Sequence, residues 1–200
     1  MPRFTLFDFG VSRVMASFHQ DWIHDGATAA DVVAKHLAES VDEGALAVRR
    51  DARVLGGLPS PTLEVLWDAG AQYMPGFERL GGGAEWTRTV VGLCDARLSA
   101  NADVYALTGA DAEDGTACLD AVVAEIEGAW FLTGEVRSAL TDCARHCTPD
   151  VAFRVLLRAI RCAPEASLSS EQYTRLEAIG SALRYGEFVV DSVRYLVQET

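Results

Sequence analysis

The sequence predicts an all-α protein, a multi-helix bundle of two helical halves, and three observations lead there. Apolar residues recur at spacings of three and four in segment after segment, while strand-like alternation is hard to find. Helix-start signatures of Ser or Thr with an acid or amide three residues later recur along the chain. Half of the 200 residues are apolar, which is ample for a buried core.

Taken in order, Val11, Val14, Met15 and Phe18 form the first stripe, and Trp22, four beyond Phe18, is expected to continue it into the core. Thr28 with Asp31 approximates a capping box, so a helix starts near 28, carries Val32, Val33, His36 and Leu37 on one face, and ends near Ser40. Glu43 to Leu55 is a second good helix former, which Gly56-Gly57 stops. Ser60-Pro61 reads as an N-cap followed by proline at the first helical position, with Leu63, Leu66, Trp67 and Gly70 on the buried face. After Gly81-Gly82-Gly83 the helical spacing resumes with Trp86, Val90, Leu93, Cys94 and Arg97. The glycine triplet has neither a preceding strand nor the Gly-Lys-Ser/Thr ending of a phosphate loop.

Residues 99–115 hold Ser99, Asn101, Gly109, Asp111, Glu113, Asp114 and Gly115 around a short apolar patch at Val104 to Leu107. Such a composition predicts a connector over 101–115 between a helical domain at 1–100 and a second at 116–200, the two being separable. Leu119, Val122, Val123, Ile126 and Trp130 then mark one helix, and Val136, Leu140, Cys143 and Cys147 another. Thr148-Pro149 opens a helix apolar over much of its circumference, expected to be central to the second half. Ser169 with Gln172 forms a further capping box, leading through Tyr173, Leu176, Ile179 and Leu183 to a stop at Gly186. The final run, Phe188 to Val197, is richer in β-branched residues and is read as helix rather than extended chain.

Composition narrows the function. The formal net charge is −12, and only one of the 17 basic residues is Lys, which argues against a nucleic-acid binder and for a basic partner. No run of 18 uncharged apolar residues is present and no secretory leader is recognisable, so the expectation is a soluble cytoplasmic protein without a membrane partner. Five cysteines, an odd number at mostly apolar helix positions, fit reduced thiols rather than a disulfide scaffold.

Two constellations could carry chemistry. In Phe18-His19-Gln20-Asp21-Trp22 the polar groups His19, Gln20 and Asp21 are candidates for catalysis, partner contact or the capping of a helix end; His19 and Asp21, two apart, diverge, which favours the structural role. In Cys143-Ala144-Arg145-His146-Cys147, positions 143, 146 and 147 share a helix face and could meet zinc, but both cysteines continue the stripe of Val136 and Leu140, which favours core. No Gly-x-Ser-x-Gly turn occurs. The expectation is therefore no enzyme, no metal and no cofactor.

The motif Phe18 to Trp22, together with Phe9 to Trp22 around it, the capped helix from Thr28 and the helical run ending near Leu98, resembles the all-helical immunity proteins of contact-dependent growth inhibition systems. The resemblance spans residues 1–100 and implies a cytoplasmic protein that binds a cognate toxin domain, expected to be a nuclease with a basic cleft, and occludes its active surface. The rival expectation is a helical enzyme or ligand-binding protein using a pocket between the halves.

Charge distribution supplies a candidate interface independently of that resemblance. The first hundred residues hold 9 basic and 13 acidic side chains and the second hundred 8 and 16. Between Arg97 and Arg137 there is no base, so Asp111, Glu113, Asp114, Asp120 and Glu127 are expected to form an acidic surface, unscreened by any local cation, for a basic toxin.

Overall fold

A computed structural model describes residues 2–99 and 106–198. Among them are ten α-helices and no strand: α1 Gly10–Met15, α2 Ala29–Glu39, α3 Asp42–Leu55, α4 Ser60–Gly70, α5 Gly83–Ser99, α6 Leu119–Gly128, α7 Gly134–His146, α8 Pro149–Cys162, α9 Ser170–Ala182 and α10 Glu187–Asp191. Short 3-10 turns fill several of the connections.

Local signals that the sequence displays are used. Thr28 and Asp31 close a complete capping box on α2, Ser169 and Gln172 do the same on α9, and the Thr148 hydroxyl accepts from Val151 N at the start of α8. Thr133 caps α7 in the same way. Ser60 differs from expectation by one position. It is the first residue of α4, after Pro59, and its hydroxyl accepts from Ala84 N instead of capping its own helix. Glu64 accepts from Gly83 N, so the starts of α4 and α5 are laced together. A Cβ on Gly83 would lie 2.6 Å from the Ser60 carbonyl, which explains the glycine by close approach.

The expectation of one continuous first helix carrying both Phe18 and Trp22 is corrected. α1 ends at Met15, the chain turns, and Trp22 opens a separate 3-10 turn, Trp22–His24. Phe18 is core, whereas Trp22 is only partly buried, its ring edge-on to Phe18 at 5.8 Å and its N–H donating to Tyr73 O at 2.7 Å. At the other end of the chain α9 stops at Ala182, before Gly186. Arg184 takes the left-handed position (φ 56°), while Tyr185 N returns to Gly180 O. The run from Phe188 is helical only to Asp191 and in the turn Arg194–Leu196. Val197 then sits in an isolated bridge with Leu168.

Helix α8 is buried along nearly its whole length and packs on α1 and α4 as well as on α6 and α7. α4 also packs on α7. One apolar cluster runs from Val11 through Trp67 and Trp86 to Phe153 and Val193. The two units expected at 1–100 and 116–200 thus share a core, with α8 central to the whole bundle rather than to its second half. Of the expected connector, residues 101–105, including Val104 and Tyr105 of the apolar patch, lie outside the described residues. The stretch 109–118 that follows is not a free linker: Asp111 accepts from Phe4 N, and Asp114 O accepts from Asp150 N.

Candidate functional site

Beneath the N-terminus lies a cluster of charges that periodicity did not reveal. Arg154, on a helix otherwise read as apolar, is fully buried, and so are Asp51 of α3, Asp150 of α8 and Arg3. Arg154 Nη2 lies 2.8 Å from Asp51 Oδ2 and 3.0 Å from Asp150 Oδ2, while its Nη1 donates to Phe9 O and Ser12 Oγ. Arg3 reaches Asp150 Oδ1 at 2.9 Å, and Arg50 bridges Asp51 and Asp150 at 2.9 and 3.1 Å. The Tyr185 hydroxyl donates to Asp150 Oδ1. Arg3 Nη1 and Arg154 Nε lack hydrogen-bond partners among the described residues, and both guanidiniums lie over the Phe9 ring, at 5.0 and 4.2 Å. Asp51 also accepts from Val11 N, and a Cβ on Gly10 (φ 65°) would lie 1.9 Å from its Oδ2, so only glycine lets the chain pass this close.

Burial alone would raise the Asp150 pKa, but Arg154, Arg3 and Arg50 together outweigh it and hold the carboxyl below its ordinary value. Asp8, at the edge of the cluster, goes the other way. Burial pushes its carboxyl up despite Arg154 and the hydrogen bonds from Ser12 and Phe9 N. The cluster's geometric result is that the segment from Arg3 to Phe9 is strapped across α3, α8 and the turn before α10, with Phe188 N donating to Leu6 O.

The strap forms one wall of a cleft of about 340 Å³ whose other walls come from α1, α2 and the start of α3. Phe4, Phe7, Phe9 and Val41 line it together with Asp8, Arg13, His36 and Glu39. Phe7 and Val41 are 59% and 61% exposed, and Leu6 and Phe188 add further exposed apolar surface beside them, Phe188 stacking on Phe7 at 4.9 Å. Burial, helped by Arg13, lowers the His36 pKa, so its imidazole is neutral at pH 7. A second cleft of about 330 Å³ adjoins, sharing Arg13, His36 and Glu39 and continuing to His19, Asp25 and Lys35.

The motif residues of the sequence line the far end of that second cleft or lie close to it. His19 Nε2 is 3.2 Å from Asp25, which Lys35 holds at 2.7 Å, while Asp21 N donates to His19 Nδ1 and Gln20 lies within 3.5 Å of Asp21. His19, Gln20 and Asp21 are exposed and bonded mainly to one another and to this ion pair, organising the turn between α1 and α2.

The five predicted interface carboxylates divide into two groups. Asp111 accepts from Phe4 N while its carbonyl receives Arg50; the Glu113 carboxylate is 3.3 Å from Arg184 and its carbonyl receives Arg3; Asp114 accepts from Thr116 N and Oγ1. The expectation that no base screens them is corrected, because folding brings Arg3, Arg50 and Arg184 from remote parts of the chain. Asp120 and Glu127 remain exposed on one flank of α6 with no ion pair among the described residues. Their neighbour Glu125 is buried and bonded to Arg175. Just past α6 stands Trp130, 63% exposed and edge-on to Phe131.

Cys143 is buried and Cys147 donates its thiol to Val54 O, and among the described residues no group of three His, Cys, Asp or Glu side chains is placed to hold a metal ion. No helix of the described residues is long and apolar enough to cross a membrane. Compared with known families, with curated proteins and with solved structures, the chain matches none.

Proposed function

We propose that the protein is an immunity protein, a protein-binding inhibitor that neutralises a cognate, basic toxin domain by covering its active surface, and that it acts in the cytoplasm. The observation carrying this reading is the flank of α6, where Asp120 and Glu127, seven residues apart and in no ion pair among the described residues, lead to the exposed indole of Trp130. Unpaired carboxylates steer a cationic partner, and a projecting tryptophan is the side chain most often found at the energetic centre of an interface. The contact is accordingly narrower than the five-carboxylate surface read from the sequence, since Asp111, Glu113 and Asp114 are engaged within the chain.

The test is a toxicity rescue. Cells expressing a cognate toxin, sought first in the neighbouring gene, are expected to survive when the protein is co-expressed and to die when it is replaced by the variant carrying Asp120→Lys, Glu127→Lys and Trp130→Ala. With purified proteins at low salt the charge reversals should slow association, and added salt should slow the parent as the Debye length shortens to about 8 Å. Equal association of the parent and the folded variant would remove this face from the interface; failure of the parent to rescue would remove the immunity reading itself.

A further inference from the structure

We propose that the groove between α6 and α9 receives an amphipathic helix of the protein's basic partner, with large apolar side chains along one face and Lys or Arg beside them. That the partner is a toxin rests on the immunity reading; the chemistry of the helix rests on the groove.

The groove has a volume of about 550 Å³. Ala117, Ala121 and Ala124 line it from the turn Thr116–Cys118 and from α6, and Ala178, Ile179 and Ala182 line it from α9. The five alanines are all exposed. Glu125 and Arg175 are the only charged side chains in the lining, and they are bonded to each other. The two helices run antiparallel, since a Cβ on Gly115 would lie 2.6 Å from Leu183, just past α9, while Glu125 late in α6 meets Arg175 early in α9.

Arg175, Ala178 and Ala182 keep the spacing of three and four that holds residues on one helix face, as do Ala121 and Ala124. Methyl side chains let a third helix approach closely, and the space they leave is filled only by large apolar residues on the incoming face. From position 117 to 125 the groove spans about 12 Å, or about two turns, which suits anchors at i, i+3 or i+4, and i+7.

Charge decides which helix fits. Ala124 lies on α6 between Asp120, four residues before, and Glu127, three after, so the carboxylates proposed to meet the partner edge the groove. On α9 Glu171 stands exposed one turn before Arg175, and Glu125 together with Glu171 raises the Arg175 pKa. Of the nearby cations, Arg175 is taken up by Glu125, and Arg137 donates to the Glu127 carbonyl. The rim is left negative. A second copy of this chain would set the same carboxylates against themselves, whereas a helix bearing Lys or Arg is complementary.

The test uses a synthetic peptide of about 14 residues, roughly four turns, with leucines on one helix face and lysines beside them. One control scatters the same leucines around the helix, and another replaces the lysines by glutamates. In fluorescence anisotropy with the full chain the first peptide should bind at least about tenfold more tightly than either control. Ala178→Phe with Ala182→Phe fills the groove from α9 and leaves Asp120, Glu127 and Trp130 in place; it should weaken that peptide at least about tenfold. Both positions are exposed, so the variant is expected to fold, which circular dichroism checks. Equal binding of the three peptides, or a variant that binds as the parent does, overturns the proposal. So does a parent that sediments as a dimer and becomes monomeric on the two substitutions, because a second copy then occupies the groove. In the rescue assay the filled variant should fail to protect. If it protects as well as the parent, the groove is withdrawn and the immunity reading stands; if the parent itself does not protect but the peptide binds as expected, the immunity reading falls and the groove remains a site for a basic helix.

Discussion

Asp51 and Asp150 lie buried under the N-terminal strap and are paired with three guanidiniums, two of which touch both; Asp120 and Glu127 stand exposed on α6, their carboxylates in no ion pair among the described residues although Arg137 donates to the Glu127 carbonyl. The same carboxylate therefore serves opposite ends in one chain. Inside, ionised carboxylates are tolerated only because Arg3, Arg50 and Arg154 satisfy them at 2.8 to 3.1 Å, and removing one member leaves the others as uncompensated buried charge. Outside, the charge costs the fold little and is available to a partner. A net charge of −12 cannot tell the two apart.

The largest way to break the comparison is to cut the chain. α8 carries Asp150 and Arg154 to α3 and the N-terminus, and its apolar face packs on α1 and α4, so fragments 1–105 and 106–200 would each lose part of the shared core and half of the ion cluster. Neither fragment is expected to unfold cooperatively in urea, and mixing them should recover helicity. Two fragments that each melt cooperatively would restore the two-unit arrangement that the composition of residues 101–115 suggests.

Next in size is Arg154→Met, which keeps the unbranched stem of the side chain but removes the guanidinium and strands Asp51 and Asp150. A loss of about 3–5 kcal/mol is expected from urea unfolding, as for other broken buried pairs. The triple variant Arg154→Met, Asp51→Asn, Asp150→Asn should recover part of that loss, because it no longer buries unpaired charge. If Arg154→Met alone is as stable as the parent, the cluster is not holding the strap.

How much of this was legible depended on range. The capping boxes at Thr28 and Ser169 are spelled out within four residues, and the stripes of α2 and α4 within three turns, so reading along the chain found them. Arg154 and Asp51 are 103 positions apart, and nothing local distinguishes an arginine that will be buried from one that will be solvated. The one available signal was an arginine inside a helix apolar over much of its circumference, where a cation must find carboxylates. The strap escaped notice for a related reason. Residues 3–9 have no periodicity, and their conformation is fixed by partners at positions 111, 150, 184 and 188. Trp22 shows the converse error, in which spacing of four was taken for helix although the chain turns after Met15.

A smaller effect sharpens the interior side of the comparison, through pH. Asp150, held below the ordinary carboxylate value of about 3.9, contributes stability that is present above that value and lost as pH falls through its folded pKa. Asp8 has the reverse sign. Its folded pKa is raised, so the unfolded chain ionises first, and stability is lost as pH rises from about 3.9 through the folded value. Asp8→Asn, which can still accept from Phe9 N, should therefore match the parent in acid and become more stable than it toward neutral pH. A constant difference across that window in urea titrations would show that Asp8 does not titrate there.

The smallest effect belongs to the exposed side, and its sign can be worked out for each residue. Asp120 lies in the first turn of α6, where a carboxylate is favoured by the positive end of the helix dipole, so Asp120→Asn should cost a few tenths of a kcal/mol, within the range of about 0.3–1 kcal/mol for such sites. Glu127 precedes the last residue of the same helix, Gly128, where the dipole is negative, so Glu127→Gln should gain about as much. The double variant is then expected to unfold within about 0.5 kcal/mol of the parent, the ordinary range for surface substitutions. Paired urea curves for the singles and the double check this. A loss of several kcal/mol in the double variant would mean that Asp120 or Glu127 is held inside the chain as Asp51 and Asp150 are, and would withdraw both from any surface offered to a basic partner.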